Sequence, residues 1–157
     1  VSEISKAAEP VSTPTLDEVM RRRADLYQAI LALEQAAARP AVGREDEWMG
    51  GVVDALAELE REIDDHIEIT ERPDGLYAEI AETAPRLTHR VDLLRGEHPE
   101  MRRSASALKE RLQAEYTPGV EETRDEVQRI LGRIVKHRQH GADLLWEAYS
   151  VDTGGAE

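Results

Sequence analysis

Residues 117–150 read TPGVEETRDEVQRILGRIVKHRQHGADLLWEAYS. Thr117-Pro118 marks a helix start, because the missing N–H of a proline is no loss in the first helical turn. Glu121, Glu122, Asp125 and Glu126 follow at once, while Arg129, Arg133, Lys136 and Arg138 come later. That order suits the helix macrodipole. The apolar line runs Val120, Val127, Ile130, Ile134, Leu144 and Ala148, with His137 and Gly141 in the same line. Its spacings of three, four and seven mark the buried stripe of an amphipathic helix. The stretch predicts a bundle helix over 118–149, and His137 stands in its seam where a Leu is the ordinary choice.

Three other segments have the same period. Leu16, Val19, Leu26, Ile30 and Leu33 predict a helix over 15–38, opened by Thr15 as N-cap with Glu18 three residues on. Arg23 interrupts this seam, and Arg21 to Arg23 reads as a solvated or snorkelling basic face. Val52, Leu56, Leu59, Ile63, His66 and Thr70 predict a second helix over 45–72. Trp48 is expected to cap one end of the core there, and Gly50-Gly51 suggests a close helix crossing or a kink. Arg72-Pro73-Asp74-Gly75 breaks that helix. Leu76, Tyr77 and Ile80 form a short amphipathic segment over 76–83, placed as a lid across one end. Leu87, Val91, Leu94, His98, Met101, Ala105, Leu108 and Leu112 predict a further long helix over 85–115, with Pro99 expected to kink or break it. The fold class is therefore all-α: an up-and-down four-helix bundle over 15–150 with a short extra helix between the second and third long ones. A flexible tail is expected over 1–14 and another over 151–157.

Composition narrows the function. The 157 residues carry a formal charge of −13 and no cysteine. The acidic balance disfavours nucleic acid and anionic membrane surfaces as partners. Without cysteine there are no disulfides, thiolate metal sites or Cys nucleophiles. No apolar run approaches a membrane span, and Val1 to Thr15 lacks the blocks of a signal peptide, so a cytoplasmic location is expected. There is no Ser/His/Asp arrangement, no phosphate-binding glycine loop and no facing pair of core carboxylates, which argues against hydrolase or transferase chemistry.

His66, His98 and His137 each occupy a core-facing position on a different long helix. At 1.5 Å per residue, His98 lies about 20 Å above Pro85 and His137 about 18 Å from Tyr149, so in an antiparallel bundle they meet. His66 is only about 9 Å from Arg72 and joins them if the short segment fills the space beneath. Neutral imidazole is the commonest metal ligand, and bundles build metal sites from facing helices. Glu71 beside His66 and Glu97 beside His98 are the nearest oxygen donors. The competing reading makes each histidine a hydrogen-bonded core residue. His89 and His140 fall off the seams, with His140 placed to support the site from outside.

The segments His66-Ile67-Glu68-Ile69-Thr70-Glu71 followed by Gly75-Leu76-Tyr77, Glu97-His98 with Met101, and His137 to Leu145 come in an order that resembles hemerythrin-like cation-binding domains. The resemblance implies a four-helix bundle with metal ligands on the second, third and fourth helices. It spans roughly Thr15 to Tyr149. In that family the second helix carries a His with Glu four residues on; here Thr70 holds that position and Glu71 comes one later. The third often pairs two histidines at that spacing, where His98 is followed by Arg102. The fourth places a carboxylate four or five residues after its His, where this chain has Gly141 and Ala142, and Asp143 only at six. With no histidine in the first helix, the chain lacks the donors of a di-iron centre. The expectation is one metal, iron first and manganese or zinc as alternatives, held by His66, His98 and His137 with Glu71 or Glu97. Oxygen or redox sensing, or metal handling, would follow. The alternative is a metal-free bundle that acts by association, as a homodimer through an apolar face containing Tyr27, Trp48, Tyr77 and Trp146.

Overall fold

The computed structural model describes residues 13–150. Among them there is no strand. Four long helices pack against one another: α1 (Pro14–Ala38), α2 (Glu45–Glu71), α4 (Thr88–Leu112) and α5 (Val120–Tyr149). A short helix, α3 (Leu76–Thr83), and a 3-10 turn (Pro85–Leu87) lie between α2 and α4. Helix α1 packs on α2 and α5, and α4 packs on the same two.

The start of α1 lies earlier than the sequence suggests. Thr13, not Thr15, is the N-cap: its Oγ1 accepts from the Leu16 N–H at 3.0 Å, and Pro14 occupies the first helical turn. Proline at that position loses nothing and brings a helix-ready φ, which outweighs the capping-box pattern one turn further on. Thr13 and Pro14 thus belong to the bundle; the rest of the expected tails lies outside the described residues. The same Thr13 hydroxyl lies 3.3 Å from Glu79 Oε2, and the Tyr149 hydroxyl donates to that oxygen as well. One carboxylate of α3 so gathers the start of α1 and the end of α5.

Pro99 does not break its helix. Helix α4 runs through it and ends at Leu112, short of 115. The proline costs about 3 kcal/mol in an isolated helix, but His98 and Met101 on either side of it are fully buried and hold the backbone in register. Trp48 caps one end of the core as expected: it is buried, its Nε1 donates to the Ala37 carbonyl at 3.3 Å, and the Arg124 guanidinium lies over its ring. Arg124 also donates to the Ala37 and Arg39 carbonyls, both at 2.8 Å, so the open end of α1 is satisfied from α5.

The buried side chains form two apolar clusters. One contains Leu33, Leu56, Ile63, Met101 and Ile134; the other contains Ile69, Leu76, Ile80, Leu94 and Leu144. On α2, α4 and α5 the residue between the two sets is a histidine.

Two glycine sites have opposite roles. A Cβ on Gly50 or Gly51 would meet nothing within 4 Å, so no close crossing requires either glycine, contrary to expectation. A Cβ on Gly75, in the turn that aims α3, would stand 2.5 Å from the Ile69 carbonyl oxygen. Thermal or urea unfolding is therefore expected to show Gly50→Ala stabilising the protein by about 0.5–1 kcal/mol. Gly75→Ala, which must push backbone aside, is expected to destabilise it by about 1–3 kcal/mol.

Candidate metal centre

His66 of α2, His98 of α4 and His137 of α5 are at most 5% exposed. Their rings meet at one point, with centroids 5.0 Å apart for His66–His98, 5.2 Å for His66–His137 and 4.9 Å for His98–His137. One ring nitrogen from each lies within 4.8 Å of the other two. His66 therefore does join the others, and α3 fills the space beneath it with Leu76, Tyr77 and Ile80.

Two carboxylates stand behind two of the rings. Glu71 Oε2 is 2.8 Å from His98 Nδ1, and Glu97 Oε1 is 3.1 Å from His137 Nδ1. Each carboxylate accepts an Nδ1–H, which fixes the tautomer and turns the Nε2 lone pair inward, the arrangement that backs metal-bound imidazoles. Glu71 and Glu97, offered by the sequence as oxygen donors, are seen against Nδ1 of the two rings. His140, exposed on the surface, reaches Glu97 at 3.7 Å from outside.

His66 has no such partner. Its Nε2 faces His137 Nε2 at 3.1 Å, and its Nδ1 is buried without a hydrogen bond among the described residues. With the His137 proton on Nδ1, two nitrogens at this distance need a proton or a cation between them. In the metal-free chain that proton is on His66 Nε2, which leaves Nδ1 as a bare buried acceptor. Tetrahedral metal–nitrogen bonds of about 2.0–2.1 Å put ligand nitrogens about 3.3–3.4 Å apart. The His66–His137 pair is near that spacing, and all three ligand nitrogens lie within 4.8 Å of one another.

Burial, first of all, lowers the pKa of each ring. It takes His66 well below its ordinary value, with the neighbouring imidazoles adding to the effect. His98 is lowered by burial against the opposing pull of Glu71. His137 falls to about 4, by burial and the nearness of His98. All three are then neutral at pH 7 and ready to ligate.

Two residues that the sequence assigned elsewhere border the site. Tyr77, expected on an exposed dimer face, is 2% exposed, and its hydroxyl is 3.2 Å from His98 Nε2. Trp48, expected on the same face, is also buried; of the four named aromatics only Tyr27 and Trp146 are exposed. Arg23, read as part of a solvated or snorkelling face, is half-buried against α5. Its Nη2 donates to the Arg138 carbonyl at 3.3 Å, and Arg138 Nη1 returns a bond to the Arg23 carbonyl at 2.8 Å. Burial and Arg138 lower the Arg23 pKa to about 10. Gly141 supplies the room: a Cβ there would come within 3.2 Å of Arg23 Nη1. Arg23, Thr70, Tyr77, Gly141, His66 and His137 all line a cavity of about 20 Å³, space for one water-sized molecule.

No family model, curated protein or solved structure matches the chain.

Because the folded chain holds the three imidazoles below their ordinary pKa of about 6.5, it binds fewer protons than the unfolded chain under acid. The metal-free protein is expected to keep full stability above about pH 6.5 and to lose it as pH falls toward the His137 value of about 4. Urea midpoints measured between pH 7.5 and 4.5 read this directly, and a His66→Leu variant is expected to show a shallower fall.

Proposed function

We propose that this chain is a single-metal protein of hemerythrin-like, up-and-down four-helix design. It holds one iron ion through His66, His98 and His137 and serves in redox sensing or metal handling; manganese or zinc can take the same three nitrogens. The observation that carries this reading is the convergence of three buried, neutral imidazoles from three helices on one point, two of them backed by carboxylates. A hydrogen-bonded core has no need to bring three ring nitrogens together and to leave His66 Nδ1 without a partner.

In this reading each residue has a separate task. The three imidazoles supply neutral donors, which suit iron and zinc alike. Glu71 and Glu97 hold the Nδ1–H of His98 and His137, which orients the two rings and makes them more basic as ligands. The apolar clusters above and below the rings keep bulk water away. The cavity beside Arg23 leaves a position open to one small molecule. A bound iron supplies one-electron chemistry and an affinity for oxygen-derived ligands.

Metal analysis of the purified protein is expected to find one ion per chain. Addition of ferrous iron or zinc to metal-stripped protein at about 100 times Kd is expected to add about 2.7 kcal/mol of stability, a rise in Tm of roughly 5–10 °C. The rise is expected at pH 7.5 and to be much smaller at pH 5.5, where protons compete for the imidazoles. His137→Leu is expected to abolish the metal-dependent rise. An unchanged melting curve for the wild-type protein with either metal, at both pH values, would support the metal-free alternative instead.

A further inference from the structure

We propose that the Tyr77 phenolate is the fourth protein ligand of this site and selects its ferric state. The inference rests on the three-histidine metal reading and concerns what completes it. The Tyr77 oxygen stands 3.2 Å from His98 Nε2, the nitrogen left facing inward once Glu71 has taken Nδ1. That separation matches the roughly 3 Å between neighbouring donors on one metal. Tyr77 also lines the cavity that His66 and His137 line.

The phenol is held firmly in this position. Its ring lies nearly parallel to that of His98, at an interplanar angle of 16° and a centroid distance of 5.8 Å. Arg95 lies over the ring, and the Gly75 turn sets the start of α3 just before it. No carboxylate competes for the place, since Glu71 and Glu97 are engaged by Nδ1 of His98 and His137. In the metal-free chain the Tyr77 O–H occupies the lone pair of His98 that a metal would use. On binding, the phenol O–H bond breaks, the proton passes to solvent, and the oxygen bonds to the metal in its place. A phenolate adds one negative charge directly on the metal, which stabilises the ferric ion more than the ferrous one.

The test uses the full chain, loaded with ferrous iron without oxygen, freed of excess metal and then oxidised by dioxygen from air. The wild-type protein is expected to keep its iron and to become coloured through phenolate-to-iron charge transfer, with phenolate ring modes in the resonance Raman spectrum. Tyr77→Phe is expected to keep stoichiometric iron on its three histidines and to lose the visible band at least tenfold. Tyr27→Phe and Tyr116→Phe, at exposed positions, are expected to keep it. Iron-loaded wild-type protein without the band, or a Tyr77→Phe protein that retains it, overturns the assignment of Tyr77 and leaves the three-histidine site standing. A wild-type chain that takes up neither iron nor zinc overturns the three-histidine site itself. If Tyr77→Phe fails to fold, the Raman modes of the wild-type protein decide the question, with the Tyr27 and Tyr116 variants excluding surface tyrosines as their source.

Discussion

A layer of three imidazoles crosses a largely apolar core, and the rest of the bundle has to satisfy it. An unpaired buried polar group costs of the order of 1–3 kcal/mol, so three together would remove a large part of a domain's stability of roughly 5–15 kcal/mol unless their nitrogens were engaged. Most of them are. Glu71 and Glu97 reach in from the edge of the core to His98 and His137, and the Tyr77 hydroxyl meets His98. His66 and His137 meet each other. The one nitrogen left over, His66 Nδ1, belongs to the ring with no carboxylate behind it.

Two features that helix propensity disfavours lie beside this layer. A proline inside α4 directly follows His98, and a glycine inside α5 lies one turn beyond His137. Gly141 is small because the Arg23 guanidinium occupies the space beside it. Arg23 and Arg138, each bonded to the other's backbone carbonyl, join α1 to α5 at the height of the site. Helix α1 has no histidine, yet it contributes the positive charge that borders the cavity.

The fold was largely legible because each long helix carries twenty-five or more residues of one period, enough repeats for the seam to stand out. The three histidines were legible for the same reason, as polar residues on an apolar line. What the sequence did not reveal depends on contacts between helices. Tyr77 sits in an eight-residue helix, too short for its period to separate a buried face from an exposed one. The hint in its case was the Leu-Tyr pair directly after a helix-breaking turn. Arg23 was read as solvated or snorkelling because arginine usually is; the room beside Gly141, more than a hundred residues away, is what lets its head turn inward. Glu71 and Glu97 were named from the sequence as the nearest oxygen donors, but which ring nitrogen each one meets is set by packing between helices that spacing does not show. Thr13 escaped notice because Thr15 fits the same capping pattern.

The shared hydrogen bonds at Glu79 bring Thr13 and the Tyr149 hydroxyl to one oxygen. The two ends of the described chain therefore lie within a few residues' reach of each other, on the side of the bundle that carries α3. The Pro40–Arg44 turn lies a full helix length away, roughly 37 Å along α1. In topological terms the bundle is close to a ring, and its existing break is only one of those the packing would accept. A short linker from Ser150 to Thr13, with new ends opened at Val42-Gly43, would leave each long helix and each site residue in place. It would also carry the free ends away from the site. A reporter or a surface tether attached through such ends would stand at the Trp48 end of the molecule, where it does not obstruct the approach to the three histidines.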